Sequence, residues 1–315
     1  MDQNYQFSQN YYNAPQAPAH KNAKYYRQTA WKALKGNWIN TSVVQFLSGL
    51  VLSAAMMVAI IPIYAVLMVT ILARGESDAA ILVALATFIG LYVLMFAAMF
   101  FIGGPLQLGL ARTHLDVVDG KPVMITDLFR YFKTSFWKSA GLYALYTLIP
   151  TAIILPVGLF GGIGMGVALA LLPENGVVFA IGSILTFLLV IAVVILAMVV
   201  ALRYALCFFI MAEYPQVRAI DALRNSALLM KGKKWKLFCL QFSFIGWALL
   251  LAAGTLVTCG MASMVAPYPL SAYMMTAQAA FYDEVANRAA AKEVEFPSLN
   301  PEDYDPDAPG FHENF

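Results

Sequence analysis

Six long stretches of this chain carry no Asp, Glu, Lys, Arg or His: roughly 39–73, 79–103, 139–172, 177–202, 237–255 and 257–282. About 20 apolar residues cross a hydrocarbon core as helix, so most of these runs are long enough to span one. Larger polar segments at 104–138 and 203–236 separate them, with short polar turns at 73–78 and at Pro173-Glu174-Asn175-Gly176. A backbone facing lipid must satisfy its own hydrogen bonds, and no short alternating strands of a barrel appear, so the runs are expected to be helices. The pattern predicts an all-α membrane protein, a polytopic bundle of about six transmembrane helices. The alternative has five, because Pro267 and Pro269 interrupt the last run. A hairpin turning between Gly254 and Gly260 competes there with one long span followed by a surface helix over 268–290.

Residues 1–23 are rich in Asn, Gln, Tyr and Pro and have too little apolar surface to fold alone, so they are expected to form a disordered tail. They lack the apolar core of a cleavable signal peptide. The acidic, proline-dotted stretch 286–315 reads as a second tail, leaving 24–285 as the membrane domain. From Lys24 the pattern is helical: Lys24, Gln28, Lys32 and Lys35 fall on one stripe, and Trp31, Leu34 and Trp38 beside it. Such a helix is expected to lie in the interface, tryptophans toward acyl chains and lysines toward headgroups. Span 2 is expected to close at Gly103-Gly104-Pro105. Thr126 or Asp127 then caps a helix reaching Trp137. In span 3, Gly158, Gly162 and Gly166 are spaced for close helix packing. Between Glu213 and Trp247, Ile220, Leu223, Ala227 and Met230 form an apolar stripe, and Gly232 is the expected C-cap.

Trp38, Trp137 and Trp235 each stand at the mouth of an odd-numbered span, each beside lysine and after an amphipathic segment. Their even spacing suggests three units of interfacial helix plus hairpin. Charge orients them. Segments 1–38, 104–138 and 203–236 carry 5, 5 and 7 Lys or Arg, against the single Arg74 in the intervening turns. The positive-inside rule places the N-terminus and both large segments, with their amphipathic helices, in the cytoplasm.

Composition narrows the chemistry. Hydrophobic residues make up 61% of the chain and charged residues 12%, far outside the soluble globular range. Cys207, Cys239 and Cys259 sit in apolar surroundings without paired spacing, which points to packing rather than disulfides or zinc. Buried acids, histidines and lysines mark proton relays and ion paths, and the six runs contain none. His20 and His312 lie in the tails, and His114 is expected to face solvent or headgroups. No catalytic residue, cofactor or metal site is expected. The candidate contacts for anionic headgroups are Lys24, Lys32, Lys35, Lys133, Lys138, Lys231, Lys233, Lys234 and Lys236. Gln45, Gln241 and Ser243 are candidates for a polar pocket opening inward, with interhelical hydrogen bonding as the plainer reading. The basic segments are short and juxtamembrane, so anionic lipid rather than nucleic acid is the expected partner. A membrane protein partner or a second copy of the chain is also compatible. The acidic residues from Asp283 onward could dock on the basic face.

Several runs in order resemble one bacterial family: Ala33-Leu34-Lys35-Gly36-Asn37-Trp38, Pro105-Leu106-Gln107-Leu108-Gly109-Leu110-Ala111-Arg112, Leu229-Met230-Lys231-Gly232, Ser243-Phe244-Ile245-Gly246-Trp247, Pro267-Tyr268 and Phe281-Tyr282. It is the integral membrane proteins called domain of unknown function 975, and the resemblance covers roughly 24–285. It implies a multi-pass bacterial plasma-membrane protein and supplies no catalytic residue. The expected function is a non-enzymatic lipid- or partner-binding factor in membrane assembly or homeostasis. The alternative is a permease for an uncharged or lipid-like substrate.

Overall fold

The computed structural model describes residues 21–72, 78–171 and 176–286. Most of both tails, the turn containing Arg74 and most of the turn at 173–176 lie outside the described residues, and the close packing expected at Gly158, Gly162 and Gly166 also falls outside what is described. The regular elements within them are all helical. They are α1 (Ala23–Leu34), α2 (Trp38–Leu72), α3 (Asp78–Val118), a 3-10 turn (Ile125–Phe129), α4 (Arg130–Thr134), α5 (Phe136–Leu171) and α6 (Gly176–Tyr204). Then follow α7 (Cys207–Glu213), α8 (Ala219–Leu229), α9 (Lys234–Phe242), α10 (Ile245–Val257), a second 3-10 turn (Met261–Met264) and α11 (Pro267–Val285).

Five helical stretches among the described residues are long and apolar enough to cross a membrane: Trp38–Pro62, Ala86–Val118, Phe136–Pro156, Gly182–Glu213 and Lys234–Val257. Their most apolar windows are only 6 to 17% buried. Side chains such as Val58, Ile61, Phe187 and Leu249 point away from the protein. Such legs fit a solvent as apolar as themselves. The run at 257–282 is not among the five. It contains a turn, with Gly260 at φ +92, the 3-10 turn and then α11.

The packed core sits at the other end of these legs. One cluster joins Tyr26 and Ala30 of α1, Leu108 and Leu115 of α3, Leu206 to Ala212 around α7, Leu229 and Leu237 beside α8 and α9, and Phe281 and Tyr282 of α11. Among the described residues the Lys- and Arg-bearing segments therefore meet in one head, and α11 runs through it with Ala272, Thr276, Ala277 and Tyr282 buried. Its apolar composition comes from core packing, which hydropathy alone does not distinguish from lipid contact.

The head also corrects the expected end of span 2. Helix α3 does not close at Gly103-Gly104-Pro105 but continues through Pro105 to Val118. The reason is packing: Leu106, Leu108, Leu110, Ala111, Leu115 and Val117 are all buried, so contact outweighs the one backbone bond that proline removes. Gly109 is required because a Cβ there would strike the Leu128 carbonyl, and at Gly104 the Ser139 backbone. Neither Thr126 nor Asp127 caps a helix. The chain makes a 3-10 turn, then α4, and breaks at Ser135 before α5 begins. Trp38, Trp137 and Trp235 stand at the first or second residue of α2, α5 and α9. Gly36 and Gly232, just ahead of two of them, have φ of +94 and +76, a turn that favours glycine.

Candidate functional site

Hydrogen bonds between distant segments fix the head. The Ser226 hydroxyl donates to the Arg203 carbonyl (3.1 Å) and accepts from the Leu206 amide (3.2 Å). That pins α8 to the end of α6. Tyr131 donates to the Ala212 carbonyl (3.1 Å), Gln278 to the Ala205 carbonyl (3.0 Å) and Tyr282 to Glu213 (2.6 Å). Helix α1 is held by Tyr273 donating to the Arg27 carbonyl (3.1 Å) and Arg27 donating to the Ser243 carbonyl (3.2 Å).

His114 is a second correction. It does not face solvent or headgroups; it is fully buried, with Nδ1 2.9 Å from the Thr276 hydroxyl. The Thr276 proton is already given to the Ala272 carbonyl (2.8 Å), so the network assigns the hydrogen to Nδ1 and leaves Nε2 as an acceptor. This neutral imidazole ties α3 to α11. Arg112 and Asp116 one turn away form a partly exposed pair at 3.1 Å, with Lys121 at 3.7 Å.

Two cavities open beside this core. The larger, about 730 Å³, lies between α5, the end of α6 and α8. Its wall is apolar, formed by Leu145, Ile149, Ile220, Leu223, Ala227 and Leu228. Its remaining lining is Tyr204 and four cations, Arg203, Arg224, Lys231 and Lys234, with no carboxylate. The Arg203 guanidinium sits 5.9 Å from the Tyr204 ring centre. The smaller cavity, about 510 Å³, is almost wholly apolar and is bounded by Trp31, Trp38, Trp247 and Tyr273.

The candidate lysines divide between these surroundings. Lys24, Lys32, Lys35, Lys133, Lys138 and Lys231 are exposed, while Lys233, Lys234 and Lys236 are half-buried. Lys138 donates to the Pro215 and Gln216 carbonyls, each at 3.3 Å. Burial, reinforced by neighbouring Lys236, holds Lys233 below the usual lysine range, with Glu284 opposing. Of the nine, Lys231 and Lys234 line the larger cavity. Gln45, Gln241 and Ser243 line neither cavity. Gln241 is exposed, and the Ser243 hydroxyl donates to the Leu240 carbonyl (2.6 Å). The buried Gln45 Oε1 makes no hydrogen bond.

The stripe Ile220, Leu223, Ala227 and Met230 is split by the structure. Helix α8 and its cap turn Ala222, Ser226, Leu229 and Met230 into the core, leave Ile220 and Ala227 on the cavity, and place Leu223 between the two. Arg224 went unrecognised in the sequence because Arg203, Tyr204, Leu145 and Ile149, which complete the cavity around it, come from segments 20 and more residues away. The local signal is a cation one turn beyond Ile220, followed by Lys231 and Lys234. On α1 the buried face is Tyr26, Ala30 and Leu34. Trp31 and Trp38 pack edge-to-face at 5.0 Å, with Tyr273 at 5.7 Å from Trp31.

Five helices long and apolar enough to cross a membrane, on a packed, cation-bearing helical head, point to a membrane protein. A family model described as "Protein of unknown function (DUF975)" matches residues 21–289, and the chain belongs to that family. No curated protein and no solved structure matches it.

Proposed function

We propose that this is a non-catalytic, multi-pass plasma-membrane protein whose basic head lies in the cytoplasm and holds anionic lipid, as a factor in membrane assembly or homeostasis. The observation that carries the reading is the gathering of the Lys- and Arg-bearing ends of the legs around one core, beside a carboxylate-free cationic cavity. Positive-inside bias supports the cytoplasmic side, and the anionic inner leaflet supplies a complementary partner. The tryptophans at the starts of α2, α5 and α9 support a three-unit arrangement at the headgroup level. Mass spectrometry of lipids retained by the full-length protein after extraction from native membrane tests it. Enrichment of anionic species over bulk membrane is expected, and retention at bulk composition would remove the lipid-binding reading.

A further inference from the structure

The larger cavity is chemically two-ended. Leu145 and Ile149 lie nine and thirteen residues beyond Phe136, the first residue of α5, about 14 and 20 Å along a helix axis. Arg203 lies one residue before the end of α6, and Lys231 and Lys234 bracket the turn between α8 and α9. One cavity therefore presents an apolar wall and four cations to the same occupant. A free anion needs only the rim, whereas the wall fits a hydrocarbon chain attached to the anion. Two guanidiniums suit phosphate oxygens, because each presents a planar pair of donors. The site is also built rather than fluctuating. The buried Ser226 fixes Arg203 on α6 relative to Arg224 on α8 through its two hydrogen bonds, and the Tyr204 ring lies beside the Arg203 guanidinium.

We propose that this cavity is a discrete site for one phosphate-bearing membrane lipid, its headgroup among Arg203, Arg224, Lys231 and Lys234 and a chain along Leu145, Ile149 and Leu228. The inference rests on the lipid-holding reading above and assigns that role to one place.

Full-length protein in bilayer nanodiscs is tested by native mass spectrometry for retained phosphatidylglycerol, with phosphatidylcholine and inorganic phosphate as separate arms. Wild type should retain phosphatidylglycerol over phosphatidylcholine, and inorganic phosphate should not displace it. The R224Q/K231Q variant should lose roughly tenfold or more in retention, whereas K24Q/K133Q, equally basic but away from the cavity, should lose little. Ile220→Glu puts an acid on the exposed part of the wall, one turn before Arg224 and away from the core, where it charges the wall and competes for the guanidinium, and should also expel the lipid. Equal loss in both double variants, or retention unchanged by Ile220→Glu, would overturn the discrete site while leaving diffuse lipid binding intact. Displacement by inorganic phosphate would make it an anion site and overturn the lipid assignment. No preference for phosphatidylglycerol in wild type would defeat this inference and the lipid-binding reading together.

Discussion

The head and the legs are built from similar residues but held by different forces. In α10, Leu249 and Leu250 are exposed along a helix with no buried residue. In α3, Leu108 and Leu110 are enclosed on every side, and Gly109 between them touches another segment's backbone. Hydrophobicity explains where the first pair sits, because lipid is as apolar as leucine. Shape explains the second, because a close-packed interior resists even one added methyl. Specificity for one structure is therefore concentrated in the head, while the legs need only remain apolar and helical.

The sharpest way to break this contrast is to overfill the head. Gly109→Val drives side-chain atoms into the Leu128 carbonyl and should cost about 3 kcal/mol or more. The result would be a lowered thermal midpoint or loss of monodisperse protein in detergent. Leu249→Ala, on a leg, should change stability by no more than about 0.5 kcal/mol. Comparable losses from the two would show that the legs carry as much specific packing as the head.

Ser226→Ala sits next in size. It removes the acceptor of the buried Leu206 amide and a donor to the Arg203 carbonyl. An unsatisfied buried group costs about 1–3 kcal/mol, to be measured as a shift in the same melting curve. Ser226→Thr, which keeps the hydroxyl, should recover part of it.

Much of the legs was legible in the sequence because a charge-free run is a local property. The head was not, for reasons visible at particular residues. The run at Ala272, Ala277 and Ala280 reads as lipid-facing helix although it is core, since both environments select the same residues. Pro105 looks like a helix end until its neighbours supply the packing that carries α3 past it. His114, flanked by Arg112 and Asp116, reads as solvated, and only Thr276, 162 residues away, gives its Nδ1 a partner. The window 220–234 holds three of the larger cavity's four cations, but Arg203 and the α5 side of its wall come from distant segments, so the concavity itself leaves no local trace.

A smaller effect separates the two regions by pH. Burial, with Glu284 acting as a nearby charge, raises the Tyr26 phenol well above its ordinary value of 10.0. The native state then keeps a proton that the unfolded chain releases. The contribution of Tyr26 to stability is complete below about pH 10 and is lost as pH rises toward the folded value. Melting midpoints taken between about pH 8 and about pH 11 should fall, and Tyr26→Phe should reduce the fall. An unchanged slope in Tyr26→Phe would place the alkaline sensitivity elsewhere, with Tyr131, which burial also raises, as the next phenol to replace.

The account depends most on all the basic ends sharing one side of the bilayer. With Cys207, Cys239 and Cys259 changed to alanine, single cysteines at Lys35, Lys133 and Lys231 can be labelled with a membrane-impermeant maleimide in vesicles of each orientation. The account predicts that positions 35, 133 and 231 label together from the cytoplasmic face and not from the other. Any two of the three labelling from opposite faces would contradict it.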